Sequence, residues 1–454
     1  MNARGTGGSA AARTKATSRA HSTGAGASQS AMREHNLGLV LEQIVDATEP
    51  VSRADLAVGT GLTRATVSAL VDLLVSARMV HELEPVARRT AGRPAVPLVP
   101  ARGTIVGIGL EANVDYLGAC AIDLAGNVIA EEIVEDDFRH SSPDEVLPLL
   151  GGLGSRVVDA ATAHGARVAG ACLALPGIVD RVNGPLRLAP NLGWADDDLS
   201  ALRTVAPFDT IGVRVANEAN LAAVAEIRAL HAARPSFLYV SGEVGIGGAL
   251  VDGGVVFKGD HGWSGELGHV TVDPNGPDCT CGAEGCLETY AGKDSLMAAA
   301  GLARDLPVEA LIEAARLGDT RARDALARGG RALGIALSSF MNLTDINEVV
   351  LGGIYSPLTD WLVDHVHREL HKRVLTAPWV DMQVKASVSG TRAAMSGAAL
   401  SVLRLVVANP GDWGALEPGA WSELDGIPAP TAADHAGAGP RPAGLGPAGQ
   451  EEDA

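Results

Sequence analysis

Aromatic side chains are scarce, at 3% of 454 residues, although 46% of the chain is hydrophobic. The core must therefore be built from Val, Leu, Ile and Ala. No apolar run reaches the ~18 residues of a membrane-spanning helix, so no membrane partner is expected. The N-terminus lacks the apolar segment of a signal peptide. Its first 30 residues hold no acid and no stripe of large apolar residues, only Gly, Ala, Ser and Thr with Arg4, Arg13, Lys15 and Arg19. That excludes an amphipathic transit helix and predicts a disordered basic arm over 1–30. Cysteine is sparse and odd in number, at five. A secreted disulfide framework normally uses an even count, and reduced thiols without an export signal predict a cytoplasmic protein.

Three of those cysteines stand together. Residues 265–288 read GELGHVTVDPNGPDCTCGAEGCLE, with the spacing His269-x9-Cys279-x-Cys281-x4-Cys286. Three thiolates and an imidazole complete a tetrahedral set for Zn2+ and leave no position for a catalytic water, so the metal is expected to be structural. A disulfide with a spare thiol is the alternative, although Cys279 and Cys281 are too close in sequence to bridge easily. Cys120 and Cys172 lie singly in apolar runs and read as buried free thiols.

Length allows two to four domains, and charge divides the chain. Residues 1–101 carry 11 Lys and Arg against 8 Asp and Glu, net +3; with −18 overall, the remainder carries −21. Such an asymmetry suits a nucleic-acid-facing head on an acidic body. Beyond about Pro410 the chain turns Pro-, Gly- and Ala-rich and ends in GQEEDA, which reads as a disordered acidic tail over 409–454.

The head, 31–101, shows helix-turn-helix punctuation. Leu37, Val40, Leu41, Ile44 and Val45 recur at helical spacing, with Pro50 as the stop. Ser52 caps a second helix with Asp55 three residues on, Gly61 breaks it, and Thr63 caps a third whose inner face is Val67, Leu70, Val71 and Leu74. The outward residues of that third helix are Arg64, Ala65, Thr66, Ser68 and Ala69, small and polar enough to sit deep in a major groove. Met79 to Leu98 reads as a β-hairpin wing whose tip carries Arg88, Arg89 and Arg93, suited to a minor groove. Thr63 and these residues are the candidate contacts to double-stranded operator DNA. The same helices would also build a dimerisation bundle.

In the body, 102–408, apolar strand-like runs alternate with a helix at about 219–231 and two Gly-rich turns, an α/β pattern. The motifs ALPGIVD, APNLGW, NEANLAAVAE, GEVGIGG, the GELGH segment with its cysteine cluster, and VVLGGIY follow one another in order, behind the AGRP wing. Over about residues 33–405 the chain thus resembles the ROK-family transcriptional regulators, which join a winged helix-turn-helix to a sugar-kinase-like body. The resemblance implies an actin-like (ribonuclease H-like) ATPase-type body of two α/β lobes with a sugar in the cleft. It carries the hexose-contacting positions onto Asn191, Asn217, Glu218, Glu266, His269 and Glu288, with Glu218 at the kinases' general-base position. Asn217 would equally serve as a helix cap, and Trp194 reads as core.

The phosphate loops depart from the kinase pattern. Where kinases of this family have Asp-x-Gly-Gly-Thr, this chain has Gly109-Leu110-Glu111-Ala112-Asn113; where they have Gly-Thr-Gly-Ile-Gly, it has Glu243-Val244-Gly245-Ile246-Gly247. A carboxylate in each loop repels phosphate. The expectation is a sugar-responsive, DNA-binding repressor, not an enzyme, working as a homodimer or homotetramer on the nucleoid, with a monosaccharide or sugar derivative as ligand. An ATP-dependent hexose kinase and a ligand-independent DNA-binding protein are the alternatives.

Overall fold

The computed structural model describes residues 22–85, 96–180, 185–231 and 234–414. The head begins with helix α1, Ser22–Val45, then strand β1 (Val51–Ser52), α2 (Arg53–Thr60), α3 (Arg64–Ser76), β2 (Val80–Glu82) and β3 (Pro97–Pro100). Ser52 and Asp55 form a reciprocal capping box on α2, Gly61 ends it in the left-handed conformation, and Thr63 accepts the Thr66 amide at the start of α3. Leu37, Val40, Leu41 and Ile44 of α1 bury against Leu56, Val67, Leu70, Val71 and Leu74. Arg53 pairs with Asp72 at 2.7 Å and with Glu82, tying α2 to α3 and to the wing. The wing strands form a sheet of order β1-β3-β2.

Two boundaries differ from the sequence expectation. α1 starts at Ser22, so residues 22–30, read as disordered arm, are helical; no proline interrupts them. It also stops at Val45, five residues before Pro50, so proline is not the immediate stop; Asp46 to Glu49 supply no large apolar side chain to continue the buried face.

The body begins with β4 (Ile105–Ala112), β5 (Tyr116–Asp123), β6 (Val128–Glu135), α4 (Pro143–Ala163) and β7 (Arg167–Leu175). Three short strands follow, β8 (Ile178–Val179), β9 (Leu186–Ala189) and β10 (Trp194–Asp197), with short helices α5 (Ser200–Arg203) and α6 (Phe208–Ile211). Then come β11 (Val213–Asn217), α7 (Glu218–Leu230), β12 (Phe237–Gly242), β13 (Ile246–Asp252) and β14 (Val255–Phe257). The helices α8 (Glu288–Ala291), α9 (Lys293–Ala300), α10 (Val308–Arg316) and α11 (Thr320–Thr344) precede β15 (Glu348–Gly353) and α12 (Tyr355–Arg373). β16 (Gln383–Ala386), α13 (Ala393–Ala408) and α14 (Gly411–Gly414) complete the described chain.

One topology occurs twice. The first sheet, β11-β7-β4-β5-β6, is an antiparallel meander, β4-β5-β6, extended by two parallel strands. The second, β14-β13-β12-β15-β16, repeats it with the meander β12-β13-β14. This duplication makes the two α/β lobes of the actin-like fold. α7 and α13 pack between them; a Cβ on Gly397 of α13 would overlap the Leu221 carbonyl of α7. The apolar groups there include Ala222, Ala225, Ala394 and Ala398, small side chains that let helices and sheets approach closely around the buried Phe237 and Tyr239.

The core of the head continues into the body: Ile122, Leu124, Met395, Leu403 and Val406 pack with the helices of the head. Cys120 and Cys172 are buried and unbridged, as expected. Residues 411–414, assigned from composition to the disordered tail, form α14, where the Gly411 amide donates to Glu34 at 2.7 Å and Arg167 donates to the Trp413 carbonyl at 3.0 Å. Among the described residues no single helix is long and apolar enough to cross a membrane; α2 and α3 pass only as a bent pair, and their apolar faces lie in the core of the head.

Candidate functional site

In the head, α3 presents its N-terminus outward. Arg64 and Ala65 are exposed, while Thr66 and Ser68 are half-buried. Thr63 and Thr66 are partly committed to capping, their hydroxyls 2.9 Å apart. The helix dipole leaves partial positive charge where these residues stand, which favours phosphate. Arg88, Arg89 and Arg93 lie outside the described residues.

The body cleft gathers the sugar-contact candidates from both lobes. Asn191 and Glu288 converge on Gly245: a Cβ there would lie 2.7 Å from Glu288 Oε2 and 3.3 Å from Asn191 Nδ2. That approach requires glycine at the tip of the β12–β13 hairpin. Glu288 Oε2 also takes the Ile246 amide at 3.4 Å. Asn217 is the N-cap of α7; its Oδ1 accepts the Asn220 amide at 3.1 Å and its Nδ2 donates to the Gly177 carbonyl at 3.0 Å. It keeps one N–H and one lone pair for a ligand. Glu218 opens α7 beside it. Burial pushes its carboxyl well up, and the charges of Glu243, Glu111 and Glu266 add to the push. Burial raises Glu266 as well, opposed by His269 and assisted by Glu288. Trp194 is 1% exposed and donates to the Ser141 carbonyl at 3.1 Å, so it belongs to the core.

The hairpins at the two phosphate loops are related by the duplication. Glu111 ends β4 and Glu243 follows β12, and the two face one small cavity of about 20 Å³ with Tyr116, Glu218 and Ser241. That is room for about one water. Glu111 is 2% exposed; Asn113 lies 3.4 Å from its Oε1, and its Oε2 has no well-formed hydrogen bond. Burial raises its carboxyl. Burial, then the charge of Glu111, pushes Glu243 up to about 8. Sequence alone identified the two carboxylates but not their convergence with Glu218, which depends on both lobes.

Beside the cleft, His269, Cys279, Cys281 and Cys286 bring their ligand atoms within 4.8 Å of one another. Cys281 and Cys286 sulfurs stand 3.7 Å apart, and Cys279 sulfur is 3.8 Å from His269 Nδ1. A disulfide needs about 2.05 Å; the edge of a tetrahedron of ~2.3 Å metal–sulfur bonds is about 3.8 Å. The donor set therefore fits a tetrahedral metal ion, and all five cysteines are unbridged. Nδ1 is the nitrogen turned to the thiols, which leaves Nε2 for a second partner. Leu267–His269 form a single 3-10 turn, so Glu266 and His269 move as one piece. The Leu287 amide donates to Val270 at 2.9 Å, tying Glu288 to the same loop.

Sequence and structural comparisons agree with this construction. The ROK family pattern matches residues 107–404. The xylose repressor of Bacillus subtilis is 29% identical over 354 residues, covering 77% of this chain and 89% of that protein. The DNA-binding transcriptional repressor Mlc of Escherichia coli is 28% identical over 388 residues, covering 81% and 93%. A solved ROK-family transcriptional regulator, described as a homologue of the E. coli Mlc protein, superposes with a TM-score of 0.70 at 26% identity, covering 84% of this chain and 99% of that one. With the duplicated lobes, the cysteine loop and a family match across nearly the whole body, this chain belongs to the ROK family.

Proposed function

We propose that this protein is a sugar-responsive, DNA-binding transcriptional repressor. The observation that carries the reading is a pairing: a helix-turn-helix with an outward α3 shares one core with a body whose two phosphate hairpins hold carboxylates. Similarity to the xylose repressor and to Mlc supports it. Residues 31–101 form the DNA-binding unit and 102–408 the ligand-binding body. Thr63, Arg64, Ala65, Thr66 and Ser68 face the major groove of double-stranded operator DNA, and Arg88, Arg89 and Arg93 of the wing reach the minor groove. The ligand is a monosaccharide or close derivative held by Asn191, Asn217, Glu218, Glu266, His269 and Glu288. Zn2+ bound by His269, Cys279, Cys281 and Cys286 braces the loop that carries Glu266 and Glu288. The metal supplies structure, not chemistry, since four protein ligands fill its tetrahedron.

Phosphoryl transfer is not part of this function. Glu218 stands at the general-base position, but Glu111 and Glu243 occupy the two phosphate hairpins and leave a space of only about 20 Å³, room for about one water and not for a phosphate. The protein works as a homodimer or homotetramer in the cytoplasm, on the nucleoid, where two heads read paired half-sites. Leu343, Leu375 and Trp379 leave large apolar surface exposed on the second lobe, of the kind a subunit interface covers.

The test begins with a duplex selected from a random library by the wild-type protein. Arg64→Ala should weaken binding to it by roughly 5- to 150-fold, the worth of one bidentate base contact, with unchanged thermal stability of the body. Unchanged affinity would mean that α3 is not the recognition helix.

A further inference from the structure

α7 runs from the ligand cleft to the DNA-binding head. It starts at the cap Asn217 and at Glu218, and its 13 residues span about 20 Å. Along its length, Glu226 is fully buried and accepts from Ser387 Oγ at 2.6 Å and from the Val388 and Ser389 amides at 3.1 and 3.0 Å. Those partners lie just beyond β16, so α7 carries the second lobe with it. Near its end, Arg228 Nη1 donates to the Val45 carbonyl at 2.6 Å, across 183 residues. Val45 is the last residue of α1, and its carbonyl is one of those a helix leaves without an internal partner. The guanidinium also meets the negative end of that helix dipole, with Asp46 beside it.

The rest of the junction is packed on one side and open on the other. Gly38 of α1 lies against the Val407 and Ala408 carbonyls at the end of α13. Next to Arg228 a cavity of about 290 Å³ opens between α1 and the body, lined in part by Leu39, Leu124, Leu403 and Arg404. α1 thus packs on the body along one face, borders open space along another, and has its C-terminus fixed by a charged hydrogen bond. Because α1 forms the floor on which Val67, Leu70 and Val71 of α3 rest, a shift of α1 moves the DNA-facing helix.

We infer that Arg228 is a positioning residue that couples the ligand cleft to the DNA-binding head, by fixing the C-terminus of α1 to the far end of the helix that begins at the ligand. This rests on the reading of the body as a sugar sensor. A ligand that draws Glu218 toward it moves α7 along its axis, and the Arg228–Val45 bond passes that movement to α1.

The full-length protein and its Arg228→Met and Arg228→Lys variants are compared. D-xylose, D-glucose and N-acetyl-D-mannosamine are screened by thermal shift, and the sugar that raises wild-type Tm is titrated against each protein's complex with the library-selected duplex. In the wild type that sugar changes DNA affinity at least about fivefold. Arg228→Met should keep the Tm shift, which certifies folding and sugar binding, while its affinity ratio without and with sugar falls below about threefold. Arg228→Lys, which keeps one charged donor, should give an intermediate ratio, and it decides the matter alone if Arg228→Met does not fold. Wild-type ratios in a folded variant overturn the role of Arg228 only. A wild type whose DNA affinity ignores every sugar overturns the sensor reading and this coupling with it.

Discussion

Replacing Cys281 with Ser, or stripping the metal with a chelator, is expected to lower sugar affinity by at least about 10-fold, since even the residues that only support metal ligands cost about 10- to 100-fold in metal affinity or activity when changed. DNA affinity without sugar should stay within threefold of wild type. The asymmetry follows from where the cluster sits. Glu266 directly precedes the turn that carries His269, and Glu288 follows Cys286 by two residues. Both sugar-contact candidates are thus held by the backbone that the metal closes. The core of the head contains none of this loop; it is built from α1, α2, α3 and the wing strands with parts of β4, β5 and α13. One equivalent of Zn2+ should be released on chelation, read with a chromogenic indicator. Equal loss of sugar binding and DNA binding would reduce the metal to a staple for the whole fold.

Glu243→Gln should raise Tm at pH 8 by about 2–5 °C, from relief of the order of 2 kcal/mol, and leave Tm at pH 4.5 nearly unchanged. In the folded protein Glu243 is pushed up to about 8 from the ordinary 4.5. The folded state thus retains a proton that the unfolded chain has already released across that window. Stability from this group is fully present below about pH 4.5 and is lost as pH rises toward 8. Burial of Glu111 and Glu218 pushes both of those carboxyls the same way, so the wild-type protein should soften steadily from pH 5 to pH 8. Gln keeps the shape and removes the charge. A wild-type slope retained in Glu243→Gln would assign the pH dependence to the other two carboxylates. The physical point is that three carboxylates around one small cavity cannot all ionise without cost; because Glu243 keeps its proton up to about pH 8, it excludes phosphate by bulk and not by charge.

Much of this was legible in the sequence because it is local. Ser52, Asp55, Gly61 and Thr63 are capping signals that act within four residues, and each stands where the sequence puts it. The spacing of His269, Cys279, Cys281 and Cys286 likewise encodes a loop that closes on itself. What escaped depends on distant chain. α12 carries Leu358, Leu362, Val366 and Leu370 at helical spacing, yet its partners are α11 and the second sheet, which is assembled from residues 237–257 and 348–386. The cap role of Asn217 was foreseen as an alternative; its bond to Gly177 was not, since it links two strands that meet only in the folded lobe. Nothing near Arg228 in sequence announces its bond to Val45. α14 escaped for a related reason: composition marks 411–414 as tail, and their order comes from Glu34 and Arg167.

The central claim, that one body binds sugar in order to change how the head holds DNA and not in order to phosphorylate it, is tested most directly by one titration with two readouts. The complex of the protein with its selected duplex is titrated with the stabilising monosaccharide, with ATP and Mg2+ present, while DNA affinity and sugar phosphate are followed together. The account predicts an affinity change of about 5- to 150-fold, the usual range of coupling between two sites, and no sugar phosphate beyond the amount of protein present. An affinity that does not move, or sugar phosphate that accumulates over many turnovers, would contradict it.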